Sequence, residues 1–222
     1  TDLFLRSIGK ETDIVSKEMY SWVDQGENKL TLRPELTASV VRSYIQHQLG
    51  KQNKSHKFYY LGSSYRRERP QKGRFRQFKQ FGLEAFGSSL PEQDAEIIHM
   101  SYSLYSSLGI KNLELKINSI GNRESRKKYK KALQDYFMKF KGELTETSQK
   151  RLNNNPLRIL DTKVDFEIDL IKNAPKMIDY LNKEDKEHFN QVLKFLDSMK
   201  LPYTVDYYLV RGLDYYSRTV FE

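Results

Sequence analysis

Hydrophobic and polar positions in the first 121 residues alternate between strand and helix periods. Residues 29–33 alternate with period two and end at Pro34, which predicts a short strand. From Glu35 the apolar positions recur at helical spacing up to Gly50, which predicts a helix. The same reasoning predicts strands over 57–65, 75–86 and 113–118 and a second amphipathic helix over 92–108. Strands and helices therefore occur together in this part of the chain.

The pattern changes after Gly121. Residues 122–200 show helical periodicity almost throughout, and strand character returns at 203–210. The predicted helices run from Asn122, as a cap, to about Phe140, and then lie near 143–152, 165–182 and 184–199. We interpret 1–121 as the first part of a core, 122–202 as a helical insertion domain, and 203–222 as a return to the core.

Composition limits the classes of function. Charged residues make up 30% of the chain, the mean hydropathy is −0.74, and no apolar run approaches the ~20 residues of a membrane span. The chain begins with Thr1 rather than Met, which suggests a fragment. It also carries no secretory signal. With no cysteine it forms no disulfide or thiolate metal site, which fits a reducing compartment. The net charge of +9 favours polyanionic partners, although any soluble basic protein shows it too.

A basic loop separates the strands predicted over 57–65 and 75–86. Residues 65–79 hold seven basic side chains, one acid and interspersed aromatic rings, and Pro70 and Gly73 mark a turn. These features predict a β-hairpin with an arginine-rich loop. A guanidinium group can bind two phosphate oxygens at once, and the face of an aromatic ring can stack on a nucleobase. The loop therefore predicts a nucleotide or nucleic-acid site.

The strand after the loop has two unlike faces, since side chains alternate along a strand. One face is apolar, with Phe81, Leu83 and Ala85, and we expect it to pack against helices. The other carries Phe78, Gln80, Gly82, Glu84 and Phe86. Gly82 would leave a hollow between an amide and a carboxylate, as in the floor of a polar pocket. A solvated face with a chance glycine explains the same residues.

Two other clusters allow two readings each. Glu35 and Thr37 follow a strand and begin a helix, so they either hold a ligand near the helix amino terminus or only cap the helix. The second cluster follows an apolar strand and contains Arg211, Tyr215 and Tyr216. A glycine comes directly after the arginine. They either contact a polar ligand or lie on the surface of a hairpin.

Taken in order, these clusters resemble the histidyl-tRNA synthetase family of class II aminoacyl-tRNA synthetases. YRRERPQKGRFRQF (65–78) is similar to class II motif 2 in its histidine-specific form. LVRGLDYYSRTVFE (209–222) is similar to the motif that this family alone carries. Further matches are TDIVSKEMY (12–20), LRPELT (32–37) and NNPLRILD (154–161). The resemblance covers essentially the whole chain.

The resemblance implies an α+β fold, in which helices flank an antiparallel sheet and a helical insertion is present, in a cytoplasmic homodimer. It implies a ligase that activates L-histidine with ATP as histidyl-adenylate and passes the histidyl group to tRNA(His). Mg²⁺ is expected with the ATP phosphates, and its protein ligands are unknown. Most of motif 1, all of motif 3 and the anticodon-binding domain are expected to lie outside this chain, so the isolated fragment is expected to be inactive.

The resemblance also implies a role for each site residue. Two arginines act on the α-phosphate during catalysis, Arg66 and Arg211. The residues implied to bind ATP are Arg66, Glu68, Arg74 and Phe78. Those implied to bind histidine are Glu35, Thr37, Gln80, Glu84, Arg211, Tyr215 and Tyr216. Leu36 stands where the family usually has glycine, and it either narrows the amino-acid pocket or points away.

The main alternative function is a non-catalytic synthetase-like protein, either a regulatory subunit of histidine biosynthesis or a sensor of uncharged tRNA. Such relatives tend to lose arginines and motif 2 residues that this chain retains, which favours the ligase. A separate question concerns six cations within nine residues of the insertion: Arg123, Arg126, Lys127, Lys128, Lys130 and Lys131. They form either a solvated surface or a contact with RNA phosphates.

Overall fold

A computed structural model describes residues 1–9, 12, 14–51, 55–69, 71–211 and 216–222, and these residues form helices and small sheets. The α-helices are α1 Asp2–Ile8, α2 Thr37–Gln46, α3 Pro91–Ser107, α4 Arg123–Met138, α5 Glu146–Asn154, α6 Asp165–Ile171 and α7 Lys183–Ser198. The strands are β1 Ser21–Val23, β2 Lys29–Thr31, β3 His56–Tyr65, β4 Gln77–Phe86, β5 Lys116–Ser119, β6 Thr204–Val205 and β7 Thr219–Phe221. The α+β class predicted from the sequence is confirmed. None of the helices described is long and apolar enough to cross a membrane.

The chain divides into two compact units. The first contains residues 1–89, and the second contains residues 90–211 with 216–222. The division falls before α3, and the predicted insertion boundaries at 122 and 202 stay a prediction.

The first unit is built on a long hairpin. β3 and β4 pair antiparallel without interruption from His56↔Phe86 to Tyr65↔Gln77. This confirms the predicted hairpin. At the tip of its loop Gln71 bridges to Arg74, and Gly73 has φ +80°, a conformation that glycine adopts without steric cost.

Helix α2 covers one face of this hairpin. Its Tyr44 ring stacks on Phe86 with centroids 4.5 Å apart and meets His56 edge-on. Behind it, Ala38 packs with α1. Phe81 lies on the opposite face and is 46% exposed, so the expectation that its face packs against helices is wrong at this position. Helix α2 packs instead against the large aromatic rings of the hairpin. These rings lie at the end of the polar face that is farthest from the loop.

The second unit holds a three-stranded sheet in the order β6-β5-β7. β5 pairs antiparallel with β7 and parallel with β6. The strand predicted over 203–210 is therefore only two residues long. Ile117 of β5 is fully buried with Ile98 of α3 and with Val192 and Leu196 of α7, which ties the sheet to both helices.

Helices α4 to α7 occupy the region predicted as helical. The side chain of Asn122 accepts a hydrogen bond from the backbone N–H of Ser125, which confirms the predicted cap of α4. Tyr129, Leu133 and Phe137 line the buried side of α4 at helical spacing. The single helix expected over 165–182 is two pieces, α6 and a 3₁₀ turn at Met177–Tyr180, because Pro175 interrupts the helical hydrogen bonds.

Glu167 is a fully buried carboxylate within this helical region. It accepts hydrogen bonds from the Thr145 backbone and from the hydroxyls of Thr145, Ser148 and Thr162. Burial opposes ionisation, but these donors outweigh it, and the pKa of Glu167 lies below its ordinary value. Through these hydrogen bonds, the Glu167 carboxylate links the start of α6 to the start of α5.

We predict that Glu167→Gln lowers the free energy of unfolding by about 3 kcal/mol, because an amide cannot accept all of these hydrogen bonds. A lowered folded-state pKa means that ionised Glu167 stabilises the fold above the ordinary carboxyl pKa of 4.5 and that this contribution is lost as pH falls through the lowered value. Urea unfolding at several pH values measures both effects. The exposed Glu143→Gln is the control, and equal losses in the two variants would contradict the prediction.

Candidate functional site

The register of the hairpin creates one continuous polar face. Cross-strand partners share a face, so Ser64, Gly62 and Tyr60 of β3 lie beside their partners on β4. These partners are Phe78, Gln80 and Gly82, and Glu84 follows two residues later. The structure thus places the predicted face of β4 next to a matching face of β3.

Two carboxylates, Glu84 of this face and Glu35 before α2, hydrogen-bond to Thr37, the first residue of α2. The Thr37 hydroxyl lies 3.1 Å from the Tyr60 hydroxyl, and both hydroxyls hydrogen-bond to Glu84. Glu35 is buried, and its carboxylate accepts a hydrogen bond from the Ala38 N–H at 3.0 Å. Glu35 therefore caps the start of α2, as one of the two interpretations predicted. Capping does not exclude the other interpretation, in which Glu35 also binds a ligand.

Burial is the main influence on both carboxylates. It raises the pKa of Glu35 and the pKa of Glu84, while hydrogen bonds from the start of α2 and from Thr37 and Tyr60 act in the opposite direction. The positive charge of Arg66 also lowers the pKa of Glu35, but it is the smallest influence there, and no cation among the described residues acts on the pKa of Glu84. A carboxylate that has lost much of its hydration is prepared to accept a positive charge. The cluster can therefore bind a ligand that carries positive charge or several N–H donors.

Tyr60 fills the hollow that the sequence predicted at Gly82. A Cβ atom at Gly82 would lie 2.1 Å from the Tyr60 ring. The prediction of an open hollow is thus wrong for this structure, because the cross-strand ring lies directly over the glycine. Gly82 is still required, since any side chain there would displace the Tyr60 hydroxyl from Thr37 and Glu84.

Leu36 is buried on the same face. Its methyl groups lie 3.3 and 3.5 Å from the position of a Cβ on Gly62, and Gly62 is the cross-strand partner of Gln80. Of the two alternatives stated for Leu36, the structure supports the one in which the side chain contributes bulk to the polar face. Gln80 itself accepts a hydrogen bond from the buried Ser64 hydroxyl at 3.1 Å.

The arginine-rich loop holds its charges in a fixed arrangement. Arg66 donates through Nε to the carbonyl of Pro34 at 3.0 Å, and its guanidinium lies 5.2 Å from the centre of the Phe78 ring. Glu68 is mostly buried, lying 3.2 Å from the Arg74 guanidinium and 3.9 Å from that of Arg66. The two arginines therefore share one acid and keep a net positive charge that suits phosphate.

The predicted residues near the end of the chain lie in the second unit. The Arg211 guanidinium is 3.2 Å from the Glu222 carboxylate. Tyr216 packs against Ile120, Leu209 and Val220. Tyr215 falls outside the residues that the structure describes. The structure thus brings together the predicted residues of the first unit, while Arg211 and Tyr216 have partners of their own.

The described residues include no group of three or more His, Asp or Glu side chains arranged to hold a metal ion. The chemistry available in the first unit is therefore a cationic loop for anionic oxygens beside a buried acidic cluster for amino or imidazole groups. The family model for histidyl-tRNA synthetase matches residues 3–222 of this sequence.

The chain belongs to the histidyl-tRNA synthetase family. It is 52% identical to a histidine–tRNA ligase of Staphylococcus carnosus over its full length, and 51% identical to that of Macrococcus caseolyticus. It spans 52% and 53% of these two proteins, about half of each.

Solved structures agree with this assignment. Apo histidyl-tRNA synthetase of Staphylococcus aureus matches all of this chain, and 54% of its own, with a TM-score of 0.73 and 40% identity. A Bacillus halodurans protein described as an ATP phosphoribosyltransferase regulatory subunit/histidyl-tRNA synthetase has a TM-score of 0.65. It matches 98% of this chain and 60% of its own at 19% identity, so it shows the shared fold alone.

Sequence reasoning missed two residues of this family member's polar face, Tyr60 and Ser64. A signal for Tyr60 was available, because an aromatic ring often covers a glycine on the neighbouring strand. Counting the register outward from the loop would have paired Tyr60 with Gly82. Ser64 carried no comparable signal.

We predict that Tyr60 reports the charge on Glu84. Burial, with the negative charges of Glu84 and Glu35, raises the pKa of Tyr60 to about 12 from 10.0, although the Thr37 hydroxyl acts in the opposite direction. Glu84→Gln should lower this pKa but leave it above 10.0, because the burial remains. ¹³C NMR of labelled tyrosine measures the titration, and Tyr60→Phe assigns the signal. The exposed Glu114→Gln is the control, and an unchanged Tyr60 pKa in Glu84→Gln would refute the coupling.

Proposed function

We propose that the protein containing this chain activates L-histidine with ATP and transfers the histidyl group to tRNA(His). The observation that carries this proposal is the pairing, within the first unit, of the Arg66–Glu68–Arg74 loop with the partly buried Glu35–Thr37–Glu84 cluster. One group suits phosphate, and the other suits a small ligand with amino and imidazole nitrogens. A cytoplasmic homodimer belongs to the same proposal, because translation takes place in the cytoplasm and the family's active form is a dimer.

In the first step, a carboxylate oxygen of histidine attacks the α-phosphorus of ATP. A new O–P bond forms, the bond to the β-phosphate oxygen breaks, and pyrophosphate leaves. We assign Arg66 and Arg211 to opposite sides of that phosphate, where fixed cations offset the negative charge that develops on it. The Pro34 carbonyl and the Phe78 ring already orient the Arg66 guanidinium, so little reorganisation is needed.

The remaining loop residues bind the nucleotide in this proposal. Arg74 contacts the distal phosphates, Glu68 lies near the adenine, and Phe78 stacks on the base. Mg²⁺ is expected to arrive with the phosphates, which supply oxygen ligands, and we assign no side chain to it.

The acidic cluster would bind the amino acid. Glu35, Thr37 and Gln80 receive the α-amino group, and Glu84 takes one imidazole N–H. Tyr216, with Tyr215 nearby, meets the other ring nitrogen, since a phenol hydroxyl can donate or accept. An amino acid that lacks both ring nitrogens would leave buried polar groups unpaired, which penalises it strongly.

In the second step, a hydroxyl of the terminal ribose of tRNA attacks the histidyl carbonyl carbon. An ester forms, AMP leaves, and the hydroxyl proton is lost. The regulatory alternative has less support, because the relatives at 51–52% identity carry the ligase name.

Histidine-dependent exchange of pyrophosphate into ATP, measured on the full-length protein, tests the proposal. We expect exchange with histidine, and Arg66→Ala should reduce its rate by about 10²–10³-fold because a fixed cation at the phosphate is lost. Arg67→Ala is the matched control, since this neighbouring arginine is exposed and should stay near the wild-type rate. A folded wild-type protein without exchange would refute the ligase function.

Phosphate contacts by α4 give a second test. Lys127 and Lys131 are exposed and lie on one face at i,i+4 spacing, whereas Lys128 is paired with Glu124 at 2.9 Å. If the pair contacts tRNA, Lys127→Ala with Lys131→Ala should reduce the slope of log affinity against log salt by about 1.5. The exposed Lys139→Ala with Lys141→Ala is the charge-matched control, and an unchanged slope would favour a solvated surface.

A further inference from the structure

Side-chain contacts that the proposed mechanism does not use hold the backbone of the 209–222 motif at two points, one on either side of Arg211. On one side, the buried Asn118 donates through Nδ2 to the carbonyl of Leu209 at 3.2 Å. On the other, the Arg126 guanidinium of α4 donates to the carbonyl of Tyr216. These contacts hold the backbone at Leu209, two residues before Arg211, and at Tyr216 itself.

Arg218 makes a second attachment on the same side. Its side chain enters an acidic recess at the start of α7, where its guanidinium contacts Glu184, lies 3.3 Å from Asp185 and approaches His188 at 3.4 Å. Asp185 is only 1% exposed, so the Arg218 charge offsets a buried carboxylate. Its other oxygen accepts from the backbone N–H of Asn122 at 2.9 Å, which joins the starts of α4 and α7.

The backbone of Arg218 is held as firmly as its side chain. Its N–H donates to the carbonyl of Gly121 at 2.9 Å, and its carbonyl accepts from Ile120 at 2.8 Å. Its φ of +56° is unusual for a residue with a side chain. Such a conformation costs free energy and persists where surrounding contacts impose it. Here the imposed conformation directs the guanidinium into the recess on α7.

We propose that Arg126 and Arg218 are positioning residues, through which helices α4 and α7 set the placement of Tyr216 for histidine activation. This inference rests on the proposed function. Arg126 attaches to a backbone carbonyl and Arg218 to the carboxylates of Glu184 and Asp185 rather than to ligand groups, so the two arginines act through the motif. A displacement of α4 or α7 would move the backbone that carries the imidazole-reading Tyr216.

Kinetics of the full-length protein test the positioning. Arg126→Ala should raise the KM for histidine about tenfold in pyrophosphate exchange, since a charge-assisted hydrogen bond is lost. The KM for ATP should stay within about twofold, because Arg126 contacts Tyr216 rather than Arg211 and the other assigned nucleotide contacts lie on the motif 2 hairpin. Lys141→Ala, an exposed charge just beyond α4, is the control. Combining Arg126→Ala with Tyr216→Phe should raise the KM for histidine no further than Tyr216→Phe alone, and additive effects would overturn the proposal.

Hydrogen–deuterium exchange provides a readout that needs no activity. Uptake in peptides covering 209–211 and 216–218 should rise in Arg126→Ala and return towards wild type in Arg126→Lys. Arg218→Lys, which keeps the charge beside Asp185, should fold and show a smaller rise. Unchanged uptake in Arg126→Ala would overturn the positioning role, even if the wild type showed no exchange with histidine. That last result would refute the proposed function separately.

Discussion

The antiparallel register of β3 and β4 is the constraint on which the candidate site depends. A slip of one residue would turn every side chain to the opposite face, and would move Gln80 and Glu84 away from Thr37. The uninterrupted ladder from His56↔Phe86 to Tyr65↔Gln77 makes such a slip costly. At one end the register is fixed by the aromatic group of Tyr44, Phe58 and Phe86, and at the other by the tight turn at Gly73.

The register also explains why two acids can be buried together. Glu84 reaches Tyr60 across the ladder and Thr37 from α2, while Glu35 is satisfied by the amino terminus of the same helix. These hydrogen bonds keep the cluster intact without a ligand but do not neutralise it. The amino acid proposed to bind here would bring a positive charge in addition to that of Arg66, so binding would relieve a cost that the fold already carries. Selectivity for nitrogen-rich side chains follows from the same cost.

The sequence was sufficient for the features that depend on local chemistry. Alternation, flanking apolar runs and a Gly73 turn predict the hairpin, and Asn122 predicts the start of α4. It was insufficient where distant packing decides the outcome. The exposure of Phe81, the position of Leu36 against Gly62 and the parallel pairing of β6 depend on which element lies opposite. Tyr60 falls between these cases. Its pairing with Gly82 can be predicted from the strand register, but its hydrogen bonds cannot.

Arginine performs three different tasks in this chain, and its surroundings distinguish them. Arg66 is aimed by a carbonyl and an aromatic ring but keeps its charge only weakly paired, as a phosphate ligand requires. Arg218 is surrounded by Glu184, Asp185 and His188, so its charge is used within the protein. Arg126 donates from one guanidinium nitrogen to the Tyr216 carbonyl, which carries no net charge. A count of basic residues therefore overstates the surface available to polyanions, because some guanidinium groups hold the site together from within.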